Sequence, residues 1–331
     1  MLGAALTTAF EGRYRNKLLL PTVTESLAPK ATSVAALKAR ILRVESGEPA
    51  ADQIWICVLN TDTNQSEVLF TLPDFQNVSF PVVSPAGESL AFAATFPGEV
   101  VTSDSHLYVC GMDGTGLREL GPGTMPSWSP RGRRLVCSRY SPDRGVWTIR
   151  VDGGGFELLD ENGWGGRWSP DGLRIACVRS GNASTDFVVH DLAEDEVSRY
   201  GRGRWATRER SSWNFSWLPN GKGVLVEAMG KMHGGRFAMS LQSVDGSGKN
   251  SELLNTADYF NVDLVPHPQR PTVLIAPKLR KYGAERLHRL NREDPTQLEY
   301  VPGQWEGRRN SGVSWMPDGK RLVYLSRPEK R

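Results

Sequence analysis

Trp168-Ser-Pro-Asp-Gly172 is the stretch of this sequence that decides the fold, because similar stretches recur along the 331-residue chain. The other copies are Val83-Ser-Pro-Ala-Gly87, Trp128-Ser-Pro-Arg-Gly132, Trp217-Leu-Pro-Asn-Gly221, Trp315-Met-Pro-Asp-Gly319 and the degraded Leu264-Val-Pro-His-Pro268. Their prolines lie 40 to 51 residues apart. A spacing in the forties is typical of repeats that each form a small four-stranded sheet.

The order of residues in each copy predicts a tight turn between two strands. Serine first, proline second and glycine fourth are the preferences of a type I turn, in which proline presets φ. A short apolar run follows each turn, as in Ile175-Ala-Cys177 and Leu322-Val-Tyr324. Continuous apolar runs are typical of strands that are covered on both faces. We therefore expect the large residue two positions before each proline to pack between neighbouring sheets, although a row of tryptophans could instead stack on ligands.

A second hairpin recurs out of phase with the first. Its turns carry Asn or Asp, which tolerate unusual backbone angles and bond to the nearby main chain. These turn residues are Asn60, Asp113, Asp152, Asp191, Asp245 and Asn291. Six hairpins of each kind predict an all-β fold, a six-bladed β-propeller. The chain opens on the second kind (residues 54–72) and ends on the first (residues 312–326), so we expect these amino- and carboxy-terminal strands to pair in one blade and close the ring.

The pattern resembles the WD40-like repeat of the TolB propeller family, in its Trp-Ser-Pro-Asp-Gly-Lys-Arg-Ile-Ala-Phe form. The segments most similar to it are Trp168-Ser-Pro-Asp-Gly-Leu-Arg-Ile-Ala176 and Trp315-Met-Pro-Asp-Gly-Lys-Arg-Leu-Val-Tyr324. The resemblance covers roughly residues 54–326 and concerns the propeller part only, because TolB itself implies a larger amino-terminal domain. It implies a fold and not a function. It also implies the periplasm or cell envelope, whereas four cysteines in apolar runs fit the cytoplasm, and the compartment is left open.

Residues 1–53 do not repeat and form an amino-terminal extension to a propeller of residues 54–331. Residues 31–44 could form a short helix, since Val34, Leu37 and Ile41 fall on one face. Alternatively, residues 39–44 could add a strand beside the closing blade. We expect residues 31–50 to pack on the propeller and the residues before them to be mobile. No basic stretch precedes the short apolar start, which makes it a poor signal peptide.

Composition excludes several classes of protein. With 40 basic and 37 acidic side chains the net charge is +3, which argues against a specific nucleic-acid binder. The sequence contains no apolar run long enough to cross a membrane. The cysteines and histidines have no metal-binding spacing, so we expect no metal and no other cofactor. The pair Asp160-Glu161 falls in a turn and is expected to be solvated.

No catalytic motif is apparent in the sequence. The Gly-x-Ser-x-Gly elbow of hydrolases is absent, and the glycine clusters do not complete a phosphate-binding loop. The sequence therefore favours a non-catalytic binding or scaffolding propeller, acting as a monomer on a protein or glycan partner. Two alternatives stay open. One is a carbohydrate-active or hydrolytic enzyme with a site in the channel mouth, and the other is a sensor domain of a larger polypeptide.

Charge is distributed unevenly among the loops expected at the face opposite the proline turns. Segments in the second half of the chain total +8, and segments in the first half total −4. We expect a basic patch that binds an acidic protein surface or an acidic glycan, more weakly as salt rises. Its predicted residues are Arg202, Arg204, Trp205, Arg208, Arg210, Lys231, Arg236, Lys278, Arg280 and Lys281. The alternative is that these are solvated loop charges without a partner.

Overall fold

The computed structural model describes residues 40–44, 48–180, 185–192, 210–233, 236–245, 250–255, 259–279, 285–294 and 298–329. These residues form 24 strands in six antiparallel sheets, and none of them lies in a helix. Accordingly, the described residues contain no helix that is long and apolar enough to cross a membrane. The all-β prediction is confirmed.

The first three sheets contain strands β1 to β11 together with the last two strands of the chain. Sheet 1 contains β1 (Leu42–Arg43), β2 (Trp55–Asn60), β3 (Gln65–Thr71), β23 (Arg308–Trp315) and β24 (Arg321–Pro328). Sheet 2 contains β4 (Asn77–Val83), β5 (Ser89–Thr95), β6 (His106–Gly111) and β7 (Arg118–Pro122). Sheet 3 contains β8 (Thr124–Trp128), β9 (Arg134–Arg139), β10 (Gly145–Arg150) and β11 (Glu157–Asp160).

The remaining sheets follow in the same order along the chain. Sheet 4 contains β12 (Gly163–Trp168), β13 (Arg174–Ser180) and β14 (Thr185–Asp191). Sheet 5 contains β15 (Arg210–Trp217), β16 (Gly223–His233), β17 (Arg236–Asp245) and β18 (Asn250–Asn255). Sheet 6 contains β19 (Tyr259–Pro266), β20 (Thr272–Leu279), β21 (His288–Asn291) and β22 (Leu298–Tyr300).

The number of complete blades differs from the sequence prediction. Five sheets have the four or more strands of a complete blade, whereas sheet 4 has three described strands. The structure therefore shows five complete blades, not the six that were predicted. The reason is local: the segment between β14 and β15, where a fourth strand of sheet 4 was expected, lies outside the described residues.

The first and last parts of the propeller meet in sheet 1, whose spatial order is β1-β3-β2-β24-β23. Strand β2 pairs with β24 from Trp55 opposite Ser326 to Asn60 opposite Arg321. Strand β1 pairs with β3, placing Leu42 opposite Thr71. The helix expected over residues 31–44 and the mobile segment before it fall largely outside the described residues.

The motif turns have the geometry that their residues predict. In each of the five copies that end in glycine, the glycine N–H donates to the carbonyl three residues earlier, for example Gly172 to Ser169 over 3.0 Å. These glycines have φ between 64° and 75°. This left-handed region favours glycine, which explains the fifth position of the motif.

The large residue at the start of each motif packs between neighbouring sheets, as expected. Trp128 packs on a core formed by sheets 2 and 3, and its Nε1 donates to the carbonyl of Val82 in sheet 2 over 2.9 Å. Trp217 packs between sheets 4 and 5 and donates to the carbonyl of Arg167 over 3.1 Å. Trp128 and Trp217 thus each contribute apolar area to one interface between sheets and a hydrogen bond to the preceding sheet.

The turns of successive motifs also contact one another through proline and glycine. A β-carbon built on Gly172 would lie 3.4 Å from Cδ of Pro130, in the turn before it. A β-carbon on Gly87, in the first turn, would lie 3.2 Å from Cδ of Pro317, in the last turn. The proline ring of one turn therefore covers the glycine of the next, including the pair formed by the last and first copies.

The innermost strand of every sheet, which is the strand that precedes the proline turn, has an irregular register just before the motif. Pairing shifts occur between Ser79 and Val82, Thr124 and Ser127, Trp164 and Arg167, Ser211 and Phe215, Asn261 and Leu264, and Ser311 and Ser314. Phe80 and Met125 lie at these shifts with φ of 53° and 55°, a region that is costly for residues other than glycine. A bulge changes the direction in which the neighbouring side chains point, and a bulge occurs in each of the six innermost strands.

Substituting Gly87 tests the contact between the last and first turns. Gly87→Ala places a β-carbon against Pro317 and imposes a positive φ on alanine, whereas Gly116→Ala imposes a similar φ of 65° with nothing within 4 Å. Both variants should lose about 1–2 kcal/mol in free energy of unfolding from the backbone. Gly87→Ala should lose more, as measured by urea denaturation. Equal losses would mean that the turn-to-turn contact contributes no stability.

Removing the carboxy-terminal strands tests the pairing in sheet 1. A chain that ends at Gly312 lacks β24, which leaves β2 with an unpaired edge and removes the fully buried Leu322 and Tyr324 from the core. We expect aggregation or loss of cooperative unfolding in thermal melts. A chain that ends at Pro328 is the control and should melt as the full chain does. An unchanged, monomeric transition in the shorter chain would contradict the pairing.

Candidate functional site

A cavity of about 470 Å³ lies where the innermost strands of the six sheets face one another. Its lining comes from β4, β8, β12, β15, β19 and β23 and from the proline turns that follow them. The innermost strands also contact one another in the order β23-β4-β8-β12-β15-β19-β23. The cavity therefore occupies the position of a propeller channel, on the side of the proline turns.

The walls of the cavity are mainly apolar and aromatic. The lining includes four motif prolines and the motif tryptophans Trp128, Trp168, Trp217 and Trp315. The tryptophans therefore both pack between sheets and face the cavity. Pockets that combine apolar walls with a few polar groups are typical of binding sites.

Two oppositely charged side chains, Arg167 on β12 and Asp263 on β19, belong to the lining. Burial lowers the pKa of Arg167 to about 10, against the attraction of the Asp263 carboxylate, which raises it. Arg167 Nη1 donates to the carbonyl of Met125 over 3.2 Å. Asn214 on β15 adds a buried amide to the same lining. The cavity thus presents a cation, an anion and an amide among apolar walls.

Asp263 is held by the backbone of the neighbouring innermost strand. Its carboxylate accepts hydrogen bonds from the N–H groups of Gly312 at 2.6 Å and Val313 at 3.4 Å. Burial raises the pKa of Asp263 to about 6, because it outweighs these hydrogen bonds and the attraction of Arg327. The charge of Glu285 adds to the rise in pKa. Asp263 therefore changes protonation near neutral pH.

A second group of charges lies behind Asp263. Ser311 Oγ donates to Glu285 Oε2 over 2.8 Å, and Arg327 Nη1 donates to Ser311 Oγ over 2.8 Å. Arg327 Nη1 also lies 3.9 Å from Glu285 Oε2. Burial lowers the pKa of Arg327, while Glu285 opposes that shift. These contacts join β23 and β24 to Glu285, three residues before β21, so they position the strand whose backbone holds Asp263.

Part of the predicted basic patch lies among the described residues. Four of its residues lie in strands: Arg210 in β15, Lys231 in β16, Arg236 in β17 and Lys278 in β20. Residues 229–233, 236 and 277–279 are thus at the ends of strands, where loops were predicted, because the strands of sheets 5 and 6 are longer than the repeat suggested. Arg202, Arg204, Trp205, Arg208, Arg280 and Lys281 lie outside the described residues. The patch therefore stays a prediction.

Asp160 contradicts its sequence prediction, since it is buried and not solvated. Its Oδ2 lies 2.8 Å from His190 Nε2 and 3.5 Å from Cys177 Sγ, and it accepts a hydrogen bond from Arg179 Nε over 2.7 Å. Burial acts to raise the pKa of Asp160, but the hydrogen bonds and charges of His190 and Arg179 hold it below its usual range. Burial and the neighbouring Asp160 raise the pKa of Cys177.

The spacing of Asp160, Cys177 and His190 in the sequence does not predict that these three residues meet. They lie at the end of β11, within β13 and within β14, so 30 residues separate the first from the last. Arg167 and Asp263 were missed for a related reason. They lie at the bulges, where the alternation of inward and outward side chains is interrupted.

Comparison with solved structures assigns the fold to the β-propellers. The chain is similar to a putative TolB from Agrobacterium tumefaciens, with a TM-score of 0.62 and 18% identity over 83% of this chain and 98% of that one. It is also similar to TolB from Acinetobacter baumannii, with a TM-score of 0.54 and 12% identity over 86% of this chain and 66% of that one. A Kuenenia stuttgartiensis hydrazine synthase gives a TM-score of 0.52 at 15% identity, covering 74% and 73%.

These identities show the fold alone, which is that of a TolB-like β-propeller. No protein-family model and no curated protein matched the sequence.

The raised pKa of Asp263 predicts a pH dependence of stability. An unfolded aspartate titrates at about 3.9, so between about pH 4 and pH 6 the folded state holds a proton that the unfolded state has lost. The stability contributed by protonated Asp263 is therefore present below about pH 4 and is lost as the pH rises to about 6. Relative to Asp263→Asn, the wild-type free energy of unfolding should fall by up to about 3 kcal/mol across this window.

Urea denaturation of both proteins between pH 4 and pH 8 measures this difference. Because every other carboxyl group is common to the two proteins, the titration of those groups that do not interact with Asp263 cancels in the comparison. Parallel stability curves would show that Asp263 titrates at its usual pKa.

Proposed function

We propose that this chain is a non-catalytic binding propeller that holds a protein or acidic-glycan partner. The observation that supports it best is the lining of the channel cavity, with aromatic and proline walls around Arg167, Asp263 and Asn214. Apolar walls with two opposite charges suit the capture of a short segment that carries both an apolar and a charged side chain.

The proposal includes a closed six-bladed ring of residues 54–331 with residues 1–53 as an extension. Three observations support it: six sheets, the contact of each innermost strand with the next, and the pairing of β2 with β24. A closed ring holds the six innermost strands at fixed positions, so the cavity keeps its shape without a partner.

The partner could bind at either end of the ring. The cavity opens on the side of the proline turns, whereas we assign the basic patch, with Arg210, Lys231 and Lys278, to the opposite ends of the same hairpins. The cavity is the better-supported site, because its described side chains combine several kinds of contact. The basic patch is the alternative site, suited to an acidic surface.

An enzyme is the second candidate function, and one observation favours it. Asp263 has a pKa of about 6 and lies in the field of a second buried carboxylate, Glu285. A carboxyl group that titrates near neutral pH beside another can serve as a general acid or base. In that case Asp263→Asn would abolish turnover of a glycoside or peptide substrate.

Selection of peptides from a random-peptide display library against the wild-type protein tests the binding function. Arg167→Met with Asp263→Asn should weaken the selected peptides at least tenfold in fluorescence anisotropy, because it removes both charges from the cavity. Asp318→Asn with Arg321→Met is the matched control, since it removes an exposed ion pair of 2.8 Å outside the cavity lining.

The same peptides distinguish the two ends of the ring. If Arg204→Glu, Arg208→Glu and Lys281→Glu together abolish binding in a salt-dependent way while the cavity variant binds normally, the basic patch is the site. If neither variant weakens any selected peptide, the proposal of a binding propeller is wrong.

A further inference from the structure

Asp160, Cys177 and His190 form a buried cluster between two neighbouring sheets. Asp160 ends β11 in sheet 3, and Cys177 and His190 lie on the paired strands β13 and β14 in sheet 4. Cys177 and His190 are fully buried, and Asp160 is 4% exposed. Among the residues that the structure describes, this is the one group of three or more histidine, cysteine and carboxylate ligand atoms that converge within 4.8 Å.

The three ligand atoms lie close enough together to bind one metal ion. Oδ2 of Asp160 lies 2.8 Å from Nε2 of His190, and Sγ of Cys177 lies 3.5 Å from that oxygen and 3.7 Å from that nitrogen. A point in the plane of these atoms is about 2.0 Å from all three, which is the length of zinc–nitrogen and zinc–oxygen bonds. An ion slightly out of this plane would meet the longer zinc–sulfur distance of about 2.3 Å.

The donor set also fits this chemistry. A thiolate, an imidazole and a carboxylate suit a borderline-soft divalent ion of tetrahedral preference, which is zinc rather than magnesium or calcium. In the metal-free arrangement, the thiol hydrogen of Cys177 and the Nε2 hydrogen of His190 both point at Asp160 Oδ2. A metal ion would take the place of these two hydrogens without moving the backbone.

We propose that Asp160, Cys177 and His190 bind Zn²⁺ and that the ion bridges sheets 3 and 4. The carboxylate is oriented for this by contacts outside the triangle, because Arg179 Nε donates to Oδ2 over 2.7 Å and the N–H of Asn162 donates to Oδ1 over 3.1 Å. Such outer contacts are typical of metal-ligating carboxylates.

Two features set the expected strength of binding. The guanidinium of Arg179 repels a cation, and Nδ1 of His190, which would carry the imidazole proton, has no hydrogen-bond partner among the described residues. With three protein ligands and these two costs, the site binds zinc less tightly than the four-ligand site of a zinc finger. The ion therefore cross-links sheets 3 and 4 and is not required for folding.

Metal content and cobalt spectroscopy of the full chain test the proposal. Protein equilibrated with ZnCl₂ and then dialysed against zinc-free buffer should retain one zinc per chain by mass spectrometry of the element. With CoCl₂ it should show the near-ultraviolet charge-transfer band of a cobalt–thiolate bond. Cys177→Ala and His190→Ala should lose the zinc, and Cys177→Ala should lose the band.

Cys137→Ala is the matched control. Cys137 occupies the same position of the preceding repeat, seven residues after the motif proline, and is also fully buried. It should retain both the zinc and the band, so that a general loss of packing is separated from a loss of metal. Added zinc should raise the melting temperature of the wild type and of Cys137→Ala but not that of Cys177→Ala.

The result that would overturn the proposal is equal zinc content in the wild type and in Cys177→Ala. If Cys177→Ala does not fold, the wild-type measurement decides, because a cobalt spectrum without a thiolate band excludes the site.

Discussion

The contact between the proline of one turn and the glycine of the next is the constraint on which the arrangement of the sheets depends. The motif glycines have a positive φ in their own turns, and at Gly87 and Gly172 the missing side chain also leaves room for the proline of the neighbouring turn. The tryptophans at the start of the motif add a second contact between neighbouring sheets, since Trp128 and Trp217 each donate a hydrogen bond to the preceding sheet. A local turn signal thus also fixes how sheets are placed side by side.

This double role explains why so much of the fold could be predicted from the sequence. The turns, the apolar strands after them and the wedging tryptophans follow from residues within one repeat, and the strand pairing at sheet 1 follows from the different kinds of hairpin at the two ends of the series. The predicted count of six blades differs from the five complete blades of the structure, because the described residues of the repeat around Asp191 form three strands.

The candidate sites were predicted less well, for physical reasons that particular residues illustrate. Asp160 follows an exposed segment and precedes Glu161, so its polarity predicts a solvated turn, yet sheet 4 covers it with Cys177 and His190. Asp263 lies at a bulge, where strand periodicity no longer tells which way a side chain points. Burial of both depends on contacts between sheets, which composition and spacing do not reveal. The basic residues were found from charge alone, and charge does not fix side-chain positions.

The pairing of Trp55 with Ser326 in sheet 1 has a mechanical consequence. The chain comes into β2 and leaves β24 at the same end of an antiparallel pair, so tension between these two points loads one hydrogen bond at a time. Peeling of this kind needs far less force than shearing all the bonds of a strand pair together. Under load, the propeller would open first at this seam, while its other sheets keep their hairpins.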